Sequence, residues 1–246
     1  MEKIDLKFPN VRRMFIPDKG KAVIDADLSG ADAQVVAWET NDPILKEACQ
    51  KGIKLHATEA TRFFGASTAD KHPEYDNCKR AIHGTNYGAK ARTVAASVKW
   101  KIATAEAFQK HWFTEHPGIL EWHQRTEFDL RQTNSVANKF GYSCHFFERP
   151  DSILPKALAW VPQSSVAIVC FKGAAKIRKL PNVELLLTVH DSVVFQTPMS
   201  WLESPSKLKL IKETLEVEVP YREPLIIPWS LAGSAKNWGD ATKLAA

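Results

Sequence analysis

Long apolar runs are missing from this 246-residue sequence: none approaches the roughly 18 residues that a bilayer-spanning helix needs. The opening segment MEKIDLKFPN also lacks the apolar core of a secretory signal. The expectation is a soluble, cytoplasmic chain with no membrane partner. Cysteine is sparse. Cys49, Cys78, Cys144 and Cys170 form no CxxC pair, which argues against a zinc or dithiol motif and for buried reduced thiols. Neither an internal repeat nor a low-complexity linker is found. What is present is globular in kind. A hydrophobic fraction of 44% can bury a sizeable core, and 25% charged residues is ordinary, which excludes disordered, collagen-like and disulfide-dense classes. The length fits one or two domains.

Charge is unevenly placed. Between Lys71 and Lys101 lie seven basic residues against Glu74 and Asp76, so this segment carries an excess equal to the whole net charge of +5. Such a segment fits a polyanion-binding face and fits a solvated helix surface equally well.

Hydrophobic periodicity predicts a buried strand over Lys21–Asp27, with Asp25 and Asp27 on one face. A mostly helical stretch follows: Asp32–Trp38, Ile44–Lys51, His56–Phe64, Tyr75–Ala89, Ala103–His111 and Ile119–Leu130. A hairpin is expected at Phe140–Phe147, a helix over Leu158–Ile177, and paired strands over Leu185–Val189 and Val193–Gln196. An amphipathic helix over Lys207–Leu215 and a last strand over Pro224–Leu231 complete the pattern. Strands at both ends of a helical middle make an α+β fold in which an antiparallel sheet is interrupted by a helical insertion.

Three segments carry chemistry. Asp27-Leu28-Ser29 ends a strand and opens a helix, so the Asp27 carboxylate and the Leu28 carbonyl offer two hard oxygens to Mg²⁺; the plain alternative is that Asp27 or Asp32 caps the helix. His190-Asp191 sits between two strands where hairpin turns prefer glycine or asparagine pairs, so something beyond turn chemistry is expected to keep it, or it is an ordinary surface turn. Two strand-end aspartates suit a metal pair about 3.5–4 Å apart. Tyr75, Lys79, His83 and Tyr87 recur every four residues along one helix face, beside Gly84 and Gly88. A lysine with stacking rings would bind a nucleotide, and a helical glycine, which costs about 1 kcal/mol against alanine, would let a flat ligand approach. The alternative is an amphipathic helix with a glycine C-cap.

In this order the three segments resemble the motifs of family A, DNA polymerase I-like, polymerases. VIDADLSGAD is similar to D-x-S-x-x-E, KRAIHGTNYG to the fingers motif K-x-x-x-[FY]-G-x-x-YG, and TVHDSVVF to H-D-[ES]. KLHATEA, HPGILEWHQRT, VPQSS and NWGD match further segments, so the likeness runs from about Asn10 to Trp238. The resemblance implies a palm over residues 1–34 and 150–246 and fingers over 35–149. It implies two Mg²⁺ ions held by Asp27, Leu28 and Asp191, with Asp27, Asp191 and Lys79 catalytic. His56, Tyr75, Lys79, His83, Tyr87 and Asp32 would bind the dNTP, Tyr87 stacking near the template base. Gln163, His190, Gly88, Arg80, Lys90 and Arg92 would meet primer–template DNA.

The likeness has departures. Tyr75 stands where an arginine is expected, with Lys71, His72 or Arg80 as candidate substitutes. His83 replaces an aromatic ring, and Asp32 is one methylene shorter than the usual glutamate, which predicts weaker exclusion of ribonucleotides. Only 26 residues precede Asp27, so the chain is expected to lack thumb and 3′–5′ exonuclease and to depend on a second polypeptide for them, as a split polymerase of phage or mobile-element origin. A single-subunit RNA polymerase fragment, a non-catalytic DNA-binding remnant and an HD-type phosphohydrolase are the competing readings. The carboxylate at Asp32, the presence of Asp27, Asp191 and Lys79 together, and the strand context of His190-Asp191 weigh against them in turn.

Overall fold

A computed structural model describes residues 10–65, 73–148 and 150–245; Lys71 and His72 lie outside them. Among the described residues the order is β1 (Lys21–Leu28), α1 (Ala31–Glu39), α2 (Pro43–Lys51), α3 (Leu55–Phe64), α4 (Pro73–Asn86), α5 (Ala91–Val98), α6 (Ile102–Glu115), α7 (Pro117–Thr133), β2 (Ser135–Ala137), β3 (Ser143–His145) and α8 (Pro150–Ile177). Then come β4 (Glu184–Val189), β5 (Ser192–Pro198), α9 (Pro205–Leu215), β6 (Glu218–Val219), β7 (Leu225–Ile226), β8 (Trp229–Ser234) and β9 (Thr242–Lys243). The fold is α+β, with an antiparallel sheet and a mostly helical remainder. Two compact units form. One takes the chain through Ala31 with Val166–Val219 and Ile226 onward; the other takes Asp32–Ser165 with Pro220–Leu225.

The first unit is built on a five-stranded sheet in the order β4-β5-β1-β8-β9. β1 is central because nearly its whole length is apolar: Ala22, Val23, Ile24, Ala26 and Leu28 are all buried. Its alternation puts Ala22, Ile24, Ala26 and Leu28 on one face and Val23, Asp25 and Asp27 on the other. The register sets Asp27 opposite Ser192 of β5 and Ser230 of β8. β4 and β5 are joined by the two-residue turn His190-Asp191, and a bulge at Leu186 shifts the β4 register. Residues 224–231, expected as one strand, are split into β7 and β8. Pro228 lies in the break, and its carbonyl accepts from the Ser29 N–H at 2.9 Å.

The second unit is helical and carries a small hairpin. The expected hairpin at 140–147 lies upstream of its predicted position, pairing Ser135–Ala137 with Ser143–His145. The Asn138 side chain supplies the turn by accepting from the N–H groups of Phe140 and Tyr142. α8 begins eight residues before its expected start and runs through Pro155 and Pro162. Buried Ile153, Ala157 and Val161 hold its first half against Leu130 and Val136, and such packing offsets the hydrogen bonds that proline removes. Its stretch Ile153–Ile177 is, contrary to expectation, long and apolar enough to cross a membrane by length and composition; half of the most apolar window is buried within the chain, as in a core helix.

Candidate active site

In the first unit the sheet brings the two predicted aspartates together. Asp27 is the last residue but one of β1 and Asp191 precedes β5; the Leu28 N–H donates to the Asp191 carbonyl at 3.0 Å, so the two strand ends are joined directly. Burial, then the negative charge of Asp191, then that of Asp25 push the Asp27 carboxyl up to about 6, with Arg12 opposing. Asp25 shares the face but is committed elsewhere. It accepts from the Ser192 hydroxyl and from Trp238 Nε1 at 2.6 Å, and Arg12 Nη1 lies 3.8 Å away. This assigns a structural role to the NWGD segment: its tryptophan fixes the carboxylate next to the pair. Sequence reasoning noted Asp25 and missed its partners, which lie up to 213 positions away. Cys170 is buried nearby. Its thiol is pushed up to about 12 by burial, with Asp191 and Asp27 adding to the effect.

His190 is exposed and holds φ +53°, a left-handed backbone that glycine or asparagine adopts more cheaply. His190→Gly is expected to leave the melting temperature nearly unchanged, because relief of the turn offsets the added freedom of the unfolded chain. A melting temperature lowered by several degrees would make the His190 side chain part of what holds the fold.

In the second unit α4 presents the predicted stripe. Tyr75 and His56 of α3 meet, with the phenol oxygen 2.6 Å from His56 Nε2 and the rings edge-on at 4.5 Å. Lys79 is exposed and lines a cavity of about 760 Å³ with Arg80, His83 and Gly84 of α4 and Thr93 and Ser97 of α5. Asp32, at the start of α1, accepts from the Tyr87 hydroxyl and lies 3.4 Å from His83 Nδ1. Tyr87 packs against Val36, Trp122 and Leu158 and is only 7% exposed. Burial and then the Asp32 charge push its phenol well above the ordinary tyrosine range. In this conformation the ring is held within the second unit by these neighbours.

The two glycines separate. Gly88 follows α4 at φ +72°, and a Cβ there would come 3.2 Å from Leu158, so the helix end itself needs glycine as a cap at this position. A Cβ at Gly84 would meet Ala89 and Val94 at an ordinary 3.6 Å; protein packing does not require this glycine, and it borders the cavity. Arg80 has protein partners. Its guanidinium donates to the Ser97 carbonyl at 3.2 Å and to Asn77 Oδ1 at 2.5 Å, so it buttresses α5. Lys90 and Arg92 are exposed at the start of α5, and Gln163 is exposed on α8. The HPGILEW segment is structural, with Ile119 and Trp122 buried and His116 Nδ1 3.3 Å from the Asp42 carboxylate.

Comparison with known proteins adds identity to this geometry. A "DNA polymerase I, thermostable" of Thermus filiformis is 26% identical over 256 residues, covering 98% of this chain and 30% of its own length. A DNA polymerase I of Rhizobium leguminosarum is 26% identical over 94% of the chain and 24% of its own length. The chain thus spans less than a third of these relatives. The fold matches the POL domain of Pol1 from M. smegmatis, solved in complex with DNA primer-template and dNTP, with a TM-score of 0.79 at 20% identity, over 94% of this chain and 42% of that one. The family description "DNA polymerase family A" fits residues 5–240. That span takes in both aspartate-bearing strands and the lysine-bearing helix, and the chain belongs to DNA polymerase family A.

Proposed function

We propose that this chain performs template-directed DNA synthesis, joining a dNTP to a primer 3′-hydroxyl on primer–template DNA with two Mg²⁺ ions. The observation that carries the reading is the joined pair of strand ends at Asp27 and Asp191, where burial first and then the negative charge of Asp191 and Asp25 lift the Asp27 carboxyl to about 6. Carboxylates that repel one another in this way make a seat for a cation. Among the described residues no three His, Cys, Asp or Glu side chains gather into a complete metal site. Two carboxylates and a carbonyl, completed by water and substrate phosphates, are what Mg²⁺ accepts. Asp27, the Leu28 carbonyl and Asp191 would hold the ions, which when bound ease deprotonation of the 3′-hydroxyl and offset triphosphate charge.

The remaining roles belong to the chain's own groups. Lys79 binds the triphosphate and is the proton source for departing pyrophosphate; Lys79→Ala is expected to lower kcat/KM for dNTP by about 10²-fold. His56 donates to a phosphate oxygen, and His83 and Asp32 flank the sugar. Gln163 and His190 contact the duplex, while Lys90 and Arg92 meet template phosphates. The palm then corresponds to residues 1–34 and 150–246 and the fingers to 35–149.

Single-nucleotide incorporation tests the function. With primer–template and Mg²⁺, only the dNTP complementary to the template base should be added, and a chelator should stop the reaction. Addition that ignores the template, or none by the folded chain, contradicts the reading. Because Asp32 is shorter than the glutamate it replaces, Asp32→Glu should raise the dNTP-over-rNTP preference about tenfold. An unchanged ratio would remove Asp32 from sugar selection.

A further inference from the structure

Tyr75 is uncharged where the resemblance expects an arginine, so position 75 itself brings no cation to the triphosphate of the reading above. Arg80 does not fill the gap, since its guanidinium is held by Ser97 and Asn77 on the side of α5. Lys54 stands beside the Tyr75 ring. It immediately precedes α3, it is exposed, and its Nζ lies 6.0 Å from the centroid of the Tyr75 ring. The Tyr75 hydroxyl in turn meets His56 Nε2, and Lys79 is one turn further along α4 from Tyr75. Two ammonium groups, an imidazole and a phenol are thereby gathered beside one helix. The Tyr75–His56 hydrogen bond uses one of that pair's two hydrogens and leaves the other to donate, so together with the two ammonium groups the cluster offers N–H or O–H donors suited to the oxygens of two or more linked phosphates.

We propose that Lys54 binds the terminal phosphates of the incoming dNTP, with Tyr75 as the ring that positions its ammonium and His56 as its neighbour on the same polyphosphate. Lys54 thus supplies the charge that position 75 lacks, and it does so from the start of α3, where it is the N-cap residue, outside the lysine helix. An ammonium on a flexible four-carbon stem can follow the phosphates as a point charge, without the bidentate geometry of an arginine. The contact is solvent-exposed, so its strength should fall as salt rises. This assignment rests on the polymerase reading of α4 and adds a residue to it.

Equilibrium binding of inorganic tripolyphosphate to the full chain, with Mg²⁺ present, separates the two claims. Lys54→Ala should weaken binding about tenfold, Lys54→Arg should bind within about twofold of the parent chain, and Lys79→Ala should weaken binding too. In single-nucleotide incorporation Lys54→Ala should raise KM for dNTP with kcat little changed, since the lost contact serves the bound nucleotide and the transition state alike. If Lys79→Ala weakens binding and Lys54→Ala does not, the Lys54 assignment is overturned and the nucleotide site stands. If neither variant differs from the parent chain, or the parent chain takes up no tripolyphosphate, the polyphosphate site itself is wrong and Lys54 falls with it.

Discussion

Asparagine at position 27 or 191 should abolish templated incorporation, by 10³-fold or more on the scale of lost metal assistance to phosphoryl transfer, and should stabilise the metal-free chain. Both effects have one cause. The Asp27 carboxyl, pushed up to about 6 mainly by burial and then by Asp191 and Asp25, costs folding free energy whenever it is ionised. A carboxyl raised above its unfolded value favours folding at low pH. That advantage is lost as pH climbs from the unfolded carboxylate range, about 4, through 6. Thermal melts without divalent cation should therefore decline across this window for the parent chain and decline less for Asp27→Asn. Divalent cation competes with the proton, so the Mg²⁺ concentration for half-maximal incorporation should rise as pH falls below 6. A half-saturation value that is flat from pH 5 to 7 would contradict the assignment of Asp27.

Alanine at position 118 should be among the most damaging small substitutions in the second unit. Gly118 begins α7 against the end of α1, and a Cβ there would stand 2.5 Å from the Thr40 carbonyl oxygen. The obstacle is backbone and cannot swing aside. Overpacking of this kind costs about 3 kcal/mol, or roughly 6–12 °C in a chain of this size. Gly84→Ala is the contrasting case. Its Cβ would make ordinary contacts, and alanine gains about 1 kcal/mol over glycine inside a helix, so the fold should become more stable. If Gly84 is there to let the nascent base pair approach α4, the stabilised variant should still incorporate nucleotides more slowly. Melting curves with matched incorporation assays decide both. A Gly118→Ala protein that melts with the parent chain would show that α1 and α7 have room to separate.

The parts legible in the sequence were those written in short-range pattern. The apolar run of β1, the strand-flanked His190-Asp191 and the four-residue spacing along α4 each depend on neighbours only a few positions away. These are the features that the sheet register and the α4 stripe display. What stayed hidden was contact between distant residues. Nothing near Asp25 indicates that Ser192, Trp238 and Arg12 surround it. Gly88 could have been a ligand approach or a cap, and only the position of Leu158 and the positive φ decide for the cap. The turn between β2 and β3 was misplaced because the Asn138 side chain, and not a glycine pair, closes it. Spacing along α4 likewise does not reveal that Val36, Trp122 and Leu158 pack against the Tyr87 ring.

Crystals of the chain with primer–template, a non-hydrolysable dNTP analogue and Mn²⁺ in place of Mg²⁺ put the central claim to its most direct test. Anomalous scattering should locate manganese within coordinating distance of both the Asp27 and Asp191 carboxylates, with the analogue's phosphates completing the shell. Nucleotide bound in the crystal with no manganese at that pair, or with the metal on other side chains, would contradict the account.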